Sequence, residues 1–336
     1  MNSLSTRDEL SISKIPSIRL DETDRESTVQ KIRHACMNVG FFYLEGHGIE
    51  QSMFDTVLAQ SKSFFGLPLA SKRALSDKVM SRGYTGMEEE TLDPSSQSKG
   101  DTKEGFYIGR EIYPTDPQYN PAKFCGPNQW PDELLCSTHI ECFSFRTTME
   151  LYFTTISAVA LRVIQLLALA IGVDEHYFDS SFSDPLAVLR LLHYSGEPSR
   201  PEDGIFACGA HSDYGMITLL LTDSTPGLQI FTKDNIWLDA PPVAGALVVN
   251  LGDMLERWTN GIFRSTKHRV LTAGGTERYS IPFFYEPNFD TVVECLSECC
   301  DTEINPGKYP RTTSGQHLLE KYKQTHADFK PETKKN

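Results

Sequence analysis

Residues 211–222 read HSDYGMITLLLT, a His-x-Asp triplet followed at once by an apolar run that predicts a strand. On a strand, side chains two residues apart point to the same face, so the His211 imidazole and the Asp213 carboxylate would project together into one cavity. The triplet alone is a weak signal, because a structural histidine beside a surface aspartate gives the same pattern. Its meaning therefore depends on the segments around it.

A second histidine follows in residues 265–270, which read STKHRV. A jelly-roll connection can bring this segment opposite the first one. Two histidines and one carboxylate on one side of a metal leave three coordination positions open, which is the facial arrangement of non-haem Fe(II) oxygenases. His211, Asp213 and His268 are therefore candidate metal ligands.

An arginine and a serine stand two residues apart on the apolar strand predicted after His268, at Arg278 and Ser280. A guanidinium buried there needs an anionic partner, since an isolated charge is very costly inside a protein. Its planar fork suits a carboxylate, and the Ser280 hydroxyl adds a donor beside it. An internal salt bridge is the alternative interpretation, and the His-x-Asp triplet together with His268 disfavours it.

Short strands separated by turn residues surround these motifs, without helical patterns between them. Such spacing favours an antiparallel sandwich or barrel over a parallel sheet, and the helices elsewhere make the chain α+β. The predicted strands cover 187–192, 215–222, 227–232, 245–251, 268–271, 278–284 and 291–295.

The rest of the chain has longer helical patterns. The N-terminal part predicts a strand at 15–18, a helix at 29–39 ended by Gly40, a strand at 41–44 and a helix at 53–65. Residues 80–135 are rich in Gly, Pro, Ser and Asp and are predicted to form long loops. A long amphipathic helix is expected over 136–172, ended by Gly172, and a last helix over 316–326.

In its ordered motifs His211-x-Asp213, His268 and Arg278-x-Ser280, the chain resembles the plant and fungal 2-oxoglutarate/Fe(II) dioxygenase superfamily, which includes isopenicillin N synthase. The resemblance covers about residues 14–325 and implies a double-stranded β-helix (jelly-roll) core flanked by helices. It implies one structural unit, with an N-terminal region over 14–135 and a catalytic core over 136–326. Other segments typical of the family are IPSI (15–18), GFFYLEGHGI (40–49), FFGLP (64–68), RGY (82–84), KEGF (103–106), NLGD (250–253) and WTNG (258–261).

The resemblance also implies roles for the motif residues. His211, Asp213 and His268 would bind Fe(II), while Arg278 and Ser280 would hold the distal carboxylate of 2-oxoglutarate. The implied reaction uses O2 to oxidise a small molecule and converts 2-oxoglutarate into succinate and CO2, with ascorbate as a candidate reductant. Hydroxylation is the commonest outcome in the family, and demethylation, desaturation and ring closure use the same iron site.

Other residues carry weaker expectations. The family often has Asn-x-Tyr before the first metal strand; here Leu192 replaces the asparagine, and Tyr194 remains to reach the co-substrate. His47 and His193 are expected to lie outside the metal site. The segment RLLHY (190–194) resembles that of fungal pyrimidine-type hydroxylases, without identifying a substrate. A small polar substrate is expected, and the candidate substrate-facing residues are Arg82, Tyr84, Glu104, Tyr107, Arg190, Leu192, Phe284 and Tyr285.

Three alternative functions share parts of this pattern. An Fe(II) oxidase of the isopenicillin N synthase type, which does not use 2-oxoglutarate, would have the same ligands. A non-catalytic sensor of 2-oxoglutarate or of a hormone-like ligand would not need three metal ligands. A cupin-type metal hydrolase or isomerase would leave Arg278 and Ser280 unexplained.

Composition narrows the partners and the compartment. The 336 residues carry a net charge of −13, which argues against binding to nucleic acid or an anionic membrane. The apolar stretch 156–173 is interrupted by Arg162 and Gln165, so it is interpreted as a core helix. Residues 1–19 have no apolar signal-peptide core, and the eight cysteines form no CxxC pair. A soluble cytoplasmic protein with reduced thiols, monomeric or weakly dimeric, is therefore expected.

Overall fold

Two β-sheets face each other in the computed structural model, which describes residues 14–77, 82–131, 142–301 and 303–325. The larger sheet contains β1 (Ser17–Arg19), β2 (Phe41–Glu45), β3 (Ser76–Asp77), β4 (Arg82–Thr85), β5 (Lys103–Gly109), β6 (Leu186–Tyr194), β8 (Ile217–Thr222), β11 (Leu247–Leu251) and β13 (Arg278–Glu286). The smaller sheet contains β7 (Cys208–His211), β9 (Leu228–Phe231), β10 (Trp237–Asp239) and β12 (His268–Val270). A separate hairpin pairs β14 (Val292–Val293) with β15 (Thr312–Thr313).

The strand order is that of a jelly roll. The larger sheet runs β1-β2-β11-β8-β13-β6-β5-β4-β3, and the smaller one runs β10-β9-β12-β7. Neighbouring strands are antiparallel except β1 and β2. From β6 to β13, successive strands alternate between the two sheets except for β9 and β10, which pair with each other in the smaller sheet, so the fold is the expected double-stranded β-helix with flanking helices.

Helices flank the two sheets. They are α1 (Arg25–Asn38), α2 (Gln51–Phe65), α3 (Leu69–Arg73), α4 (Cys142–Ile171), α5 (Asp253–Trp258) and α6 (Ser314–Thr325). The Asp24 side chain caps α1 by accepting the Ser27 N–H at 3.0 Å. Gly40 follows this helix with φ +74°, a conformation that glycine adopts without strain. The predicted helices are therefore present, each with ends shifted by a few residues; the start of the predicted 136–172 helix lies outside the described residues.

Alternation along the strands of the larger sheet separates two apolar cores. Phe42 and Leu44 of β2 point to the helices, whereas Phe41 and Tyr43 point between the sheets. The same alternation places the even-numbered residues of β6, β8, β11 and β13 inside the jelly roll. A side chain on these strands can therefore reach the interior of the jelly roll only from an even-numbered position.

The prediction of long loops over 80–135 was wrong for two segments. β4 and β5 lie within this region and extend the larger sheet, and every residue of β5 is buried. The sequence KEGFYIG (103–109) did not predict this strand, because both faces of the strand are covered. Lys103 and Glu104 are buried there as members of ion pairs. Polar-apolar alternation is then absent, although the segment is a strand.

Helix α4 is long and apolar enough, over Phe145–Ile171, to pass a length and hydropathy test for a membrane span. More than half of its most apolar 18-residue window is buried inside the fold. It packs against α1, α2 and the outer face of β8 and β13. This arrangement is that of the core helix predicted from the sequence.

The expectation of reduced cysteines was wrong for one pair. Cys295 and Cys300 form a disulfide, with Cα atoms 6.5 Å apart, inside the range that a disulfide can bridge. Between them, a short turn including Ser297–Cys299 brings the two thiols together. Cys36, Cys125, Cys208 and Cys299 are free thiols.

Candidate active site

Three side chains converge inside the jelly roll at the end of the smaller sheet. One candidate ligand atom from each of His211, Asp213 and His268 lies within 4.8 Å of the others. The Asp213 Oδ1 atom is 3.7 Å from the Nε2 atoms of both histidines, and the two imidazole centroids are 4.3 Å apart. The structure thus brings together the triad predicted from two separate segments.

Strand pairing explains why the triad forms. β12 pairs with β7 so that His268 stands directly opposite His211. The prediction that Asp213 lies on the same strand as His211 was wrong, since β7 ends at His211. The chain turns after that residue, and the Asp213 carbonyl accepts the Asp253 N–H at 2.8 Å. Asp213 still faces the two imidazoles because this turn fixes its backbone.

Hydrogen bonds orient all three triad residues toward one point. The Nδ1 atoms of His211 and His268 lie 2.8 Å and 3.2 Å from the carbonyl oxygens of Gly209 and Thr266. A carbonyl can only accept, so each Nδ1 carries the proton and each Nε2 offers its lone pair to the centre.

The Asp213 carboxylate is held by its other oxygen. Its Oδ2 accepts a hydrogen bond from the Asn250 amide at 2.6 Å and another from the Thr218 hydroxyl. Oδ1 therefore remains available between the two imidazoles. Neither Asn250 nor Thr218 was predicted as a site residue, although Asn250 belongs to the family-typical segment NLGD.

Electrostatics favours the metal-binding protonation states. Burial lowers the pKa of His268 to about 4, so its imidazole is neutral at neutral pH. Burial alone would raise the pKa of Asp213, but the nearby His268 and His211 bring it below its ordinary value. Two imidazoles and one carboxylate on one side of a point are a donor set that fits Fe(II).

Arg278 lies in the same cavity as the triad and is only 1% exposed. Its Nε donates to the Thr225 carbonyl at 3.3 Å, and its guanidinium lies 5.0 Å from the centre of the Tyr194 ring. The Nη1 atom is buried without a hydrogen-bond partner, and no carboxylate in the described part of the chain lies within 4.0 Å. The internal salt bridge considered above is therefore absent from the described residues.

An inner cavity joins the triad to this arginine, and the rest of its wall is mostly apolar. Ser280 and Tyr194, both nearly fully buried, contribute to the wall beside Arg278. The space, about 60 Å³, suits a small anion and not a macromolecule. An unpartnered buried guanidinium beside a hydroxyl fits the distal carboxylate of 2-oxoglutarate.

An outer cavity of about 100 Å³ opens beside His211 and Asp213. Four predicted substrate-facing residues border it, namely Arg82, Tyr107, Arg190 and Phe284. Leu192 lines the inner cavity, as do Arg190 and Phe284, which border both. Much of the charge is already paired: the Arg190 Nη2 atom is 2.7 Å from the Glu90 carboxylate, and its guanidinium lies over the Tyr107 ring at 4.2 Å.

Three predicted substrate-facing residues lie elsewhere. Glu104 and Tyr285 occupy positions whose side chains point to the helical side of the larger sheet, where Tyr285 stacks on Phe182 at 5.1 Å. Tyr84 donates to Glu104 at 2.6 Å in a buried network. Gly83, with φ +71°, interrupts the alternation between Arg82 and Tyr84. The structure therefore places Tyr84, Glu104 and Tyr285 at neither cavity: strand alternation excludes Glu104 and Tyr285, and the break at Gly83 turns Tyr84 away from the side of Arg82.

Three buried charged residues of the cavities were missed, namely Lys103, Glu90 and Glu286. Lys103 lines the inner cavity and forms ion pairs with Asp101 and Glu90. Glu286 lines the outer cavity. The signal for Glu286 was present, since it lies on the same strand face as Arg278, eight residues further along β13.

The two other histidines considered have structural contacts. The His47 Nε2 atom lies 3.0 Å from the Gly245 carbonyl, and its Nδ1 accepts the Ile49 N–H. His193 contacts Glu104 through Nδ1 at 2.7 Å and stacks on Tyr279. Neither belongs to the triad, in agreement with the expectation.

Two family models match the chain. The model described as non-haem dioxygenase in morphine synthesis N-terminal matches residues 15–133. The model of the 2OG-Fe(II) oxygenase superfamily matches residues 185–287, which include the triad, Arg278 and Ser280.

Similar proteins cover nearly the whole chain. The 2-oxoglutarate-Fe(II) type oxidoreductase hxnY of Emericella nidulans is 38% identical over 93% of this chain and 88% of its own length. The homoarginine-6-hydroxylase of rice is 32% identical over 91% of both chains. The crystal structure of a full-length Neurospora crassa protein in complex with α-ketoglutarate and thymine has a TM-score of 0.79 and 31% identity, covering 92% of this chain and 96% of the Neurospora chain.

Proposed function

The chain belongs to the 2OG-Fe(II) oxygenase superfamily, and on that premise we propose that it oxidises a small polar organic metabolite, in the simplest case by hydroxylation with O2. As a 2-oxoglutarate-dependent Fe(II) oxygenase, it is an oxidoreductase. The nature of the oxidised metabolite is the part that we propose.

One observation supports the proposal above all others. The three triad side chains and the unpartnered Nη1 atom of Arg278 share one buried cavity. A metal-ligand set and a buried cation at its other end suit a small dicarboxylate that bridges the two. The same cavity continues outward past His211 and Asp213, where a second small molecule has room.

The chain's own residues would bind, orient and shield the reactants. His211, Asp213 and His268 would hold Fe(II), which when bound supplies the redox chemistry that couples oxidative decarboxylation of 2-oxoglutarate to substrate oxidation. Arg278 and Ser280 would fix the distal carboxylate and so orient the keto-acid end toward the triad. The buried walls exclude water, which protects the protein and the reactants from side reactions.

The outer cavity supports a small polar substrate. Its wall combines aromatic and aliphatic side chains with the charged groups of Arg82, Arg190, Glu90 and Glu286. Apolar walls with a few fixed polar groups are typical of small-molecule sites. Relatives act on or bind different polar molecules: thymine is bound to the Neurospora protein, and the rice enzyme is named for homoarginine. Such diversity argues that the outer wall selects the substrate.

The test is a screen of metabolite mixtures with the Fe(II)-loaded protein, in the presence of ascorbate, for compounds that stimulate succinate formation. We expect succinate to form in equal amount with an oxidised product. Product without succinate would instead indicate an oxidase that does not use 2-oxoglutarate. Binding of compounds without any O2 consumption would indicate a ligand sensor and contradict the proposal.

A further inference from the structure

The last residue of β13, Glu286, carries a carboxyl group inside the outer cavity. It is 5% exposed and lies on the same strand face as Arg278 and Phe284. The register of β13 against β6 places it opposite Leu186, at the end of the strand pair. Nothing in the metal or 2-oxoglutarate chemistry described above uses this group.

The Glu286 carboxyl group is only partly satisfied by the protein. Its Oε2 accepts a hydrogen bond from the Met216 N–H, while Oε1 makes no hydrogen bond to any described residue. No Lys, Arg or His nitrogen of the described residues lies within 4.0 Å of it. Gly215 allows this close approach, because a Cβ at position 215 would overlap the carboxylate.

A buried carboxylate without a cation is unfavourable unless a partner arrives. Burial raises the pKa of Glu286 to about 8, which reflects this missing partner. Glu90, the other glutamate of the outer cavity, differs because Arg190 and Lys103 neutralise it at 2.7 Å and 3.1 Å. Apart from the metal ligand Asp213, Glu286 is therefore the carboxyl group among the described residues of this cavity that has capacity for a ligand.

Aromatic rings stand around the same space. Tyr214, Tyr322 and Phe284 line the outer cavity together with Glu286. Aromatic faces attract flat rings and organic cations, and a carboxylate accepts hydrogen bonds from nitrogen donors. The two features select for the same kind of ligand, one that carries N–H groups on a compact, partly apolar body.

We propose that Glu286 binds a nitrogen-borne hydrogen-bond donor of the primary substrate, either a ring N–H or an ammonium group. The proposal rests on the proposed function, because it concerns the substrate of the same site. It assigns Glu286 to substrate selection and not to binding of iron or 2-oxoglutarate. The cavity-facing oxygen would accept the donor while the Met216 N–H keeps the other oxygen in place.

The experiment measures binding to the protein loaded with Zn(II) and 2-oxoglutarate, so that no turnover is required. Two matched pairs of probes are titrated by ligand-observed NMR: 2-pyridone with N-methyl-2-pyridone, and piperidine with tetrahydropyran. Each pair differs mainly in the presence of an N–H donor. The first pair tests a ring N–H, and the second tests an ammonium group.

On the wild-type protein at pH 8.5, where Glu286 with its pKa of about 8 is mostly ionised, we expect the donor-bearing member of at least one pair to bind about tenfold more tightly than its partner, as for a hydrogen bond to a charged group. Glu286→Gln should abolish this preference, because a carboxamide whose oxygen faces the Met216 N–H turns its own NH2 toward the ligand. Glu294→Gln, which changes an exposed glutamate that follows β14 and pairs with Arg311, is the matched control and should keep the preference.

Two results would overturn the proposal. One is a wild-type protein that prefers the donor in neither pair, which needs no variant to interpret. The other is a preference that survives in Glu286→Gln, with melting temperature and 2-oxoglutarate affinity unchanged from wild type. Failure of the proposed function gives a different result, since probe binding would then be selective while no metabolite stimulates succinate formation.

Discussion

The inner and outer cavities differ in how much of their polar surface the protein itself satisfies. In the inner cavity, the Arg278 Nη1 atom has no partner, and the ligand atoms of the triad face one another across an open centre. In the outer cavity, Arg190 and Glu90 form an ion pair, and Arg82 donates to the Phe124 carbonyl at 2.8 Å. Two groups are exceptions there: one Glu286 carboxyl oxygen has neither a hydrogen bond nor an ion pair among the described residues, and the Arg190 Nε is buried without a hydrogen-bond partner.

This difference indicates a division of labour. Groups that bind the same charged partners in every turnover can lack partners within the protein, because the bound dicarboxylate and metal ion neutralise their charges. A substrate wall that neutralises most of its own charge binds little on charge alone and discriminates by shape and by a few hydrogen bonds.

Removal of a triad carboxylate should have the largest effect. Asp213→Ala deletes the only anionic ligand of the set, so Fe(II) affinity and 2-oxoglutarate turnover should both fall by more than about 100-fold. Metal binding is measured by equilibrium dialysis, and turnover by succinate formation. The control is Asp239→Ala, which removes an exposed carboxylate of β10 that accepts a hydrogen bond from Gln229. Full iron-dependent activity in Asp213→Ala would refute the ligand assignment.

The inner cavity was largely predictable from the sequence, because its residues obey simple rules. Period-2 spacing correctly placed Arg278 and Ser280 on one face of β13, whereas His211 and Asp213 come together although β7 ends at His211. The same rule would have found Glu286 and excluded Tyr285, since only even-numbered positions of β13 face inward. The alternation continues along β13 beyond Arg278 and Ser280 as far as Glu286.

Other parts could not be predicted from local pattern. β5 has two buried faces, and its charges are satisfied by residues distant in the sequence, such as Lys72 for Glu104 and Glu90 for Lys103. Such pairing depends on the fold, so the local sequence pattern alone predicts a solvent-exposed loop. The Asn250 contact with Asp213, across 37 positions, is likewise set by strand order.

Loss of the buried guanidinium should have the next largest effect, confined to the inner cavity. Arg278→Ala should weaken 2-oxoglutarate binding by about 30- to 5,000-fold, corresponding to roughly 2–5 kcal/mol for a buried charged contact. Isothermal titration with 2-oxoglutarate measures the change, and Arg311→Ala, an exposed arginine, serves as control. An effect on the primary substrate's KM alone would mean that Arg278 belongs to the outer wall instead.

The hydrogen bond behind the triad should matter less. Asn250→Ala leaves the three ligands in place but removes the amide that holds Asp213 Oδ2, so metal affinity should fall by about 10- to 100-fold. Fe(II) titration under anaerobic conditions measures it. Asn38→Ala, at the surface end of α1, is the matched control. Unchanged affinity would show that the Asp213 orientation is set by its backbone turn alone.

The smallest effect on catalysis is expected on the helical side of the sheet. Tyr84→Phe removes a hydroxyl that donates to Glu104, so the free energy of unfolding should fall by about 1–3 kcal/mol while KM values stay unchanged. Urea unfolding and steady-state kinetics give the two readouts. Tyr113→Phe, which alters an exposed tyrosine, should change neither. A selective rise in the substrate's KM for Tyr84→Phe would place this residue in the outer cavity after all.

The most direct measurement concerns the coupling between metal and co-substrate. Binding of 2-oxoglutarate is titrated anaerobically with and without one equivalent of Fe(II) per chain. If the triad and Arg278 enclose one bridging dicarboxylate, Fe(II) should bind at one site per chain and raise 2-oxoglutarate affinity at least about tenfold, and 2-oxoglutarate should raise Fe(II) affinity by the same factor. The same 2-oxoglutarate affinity with and without Fe(II) would contradict the account.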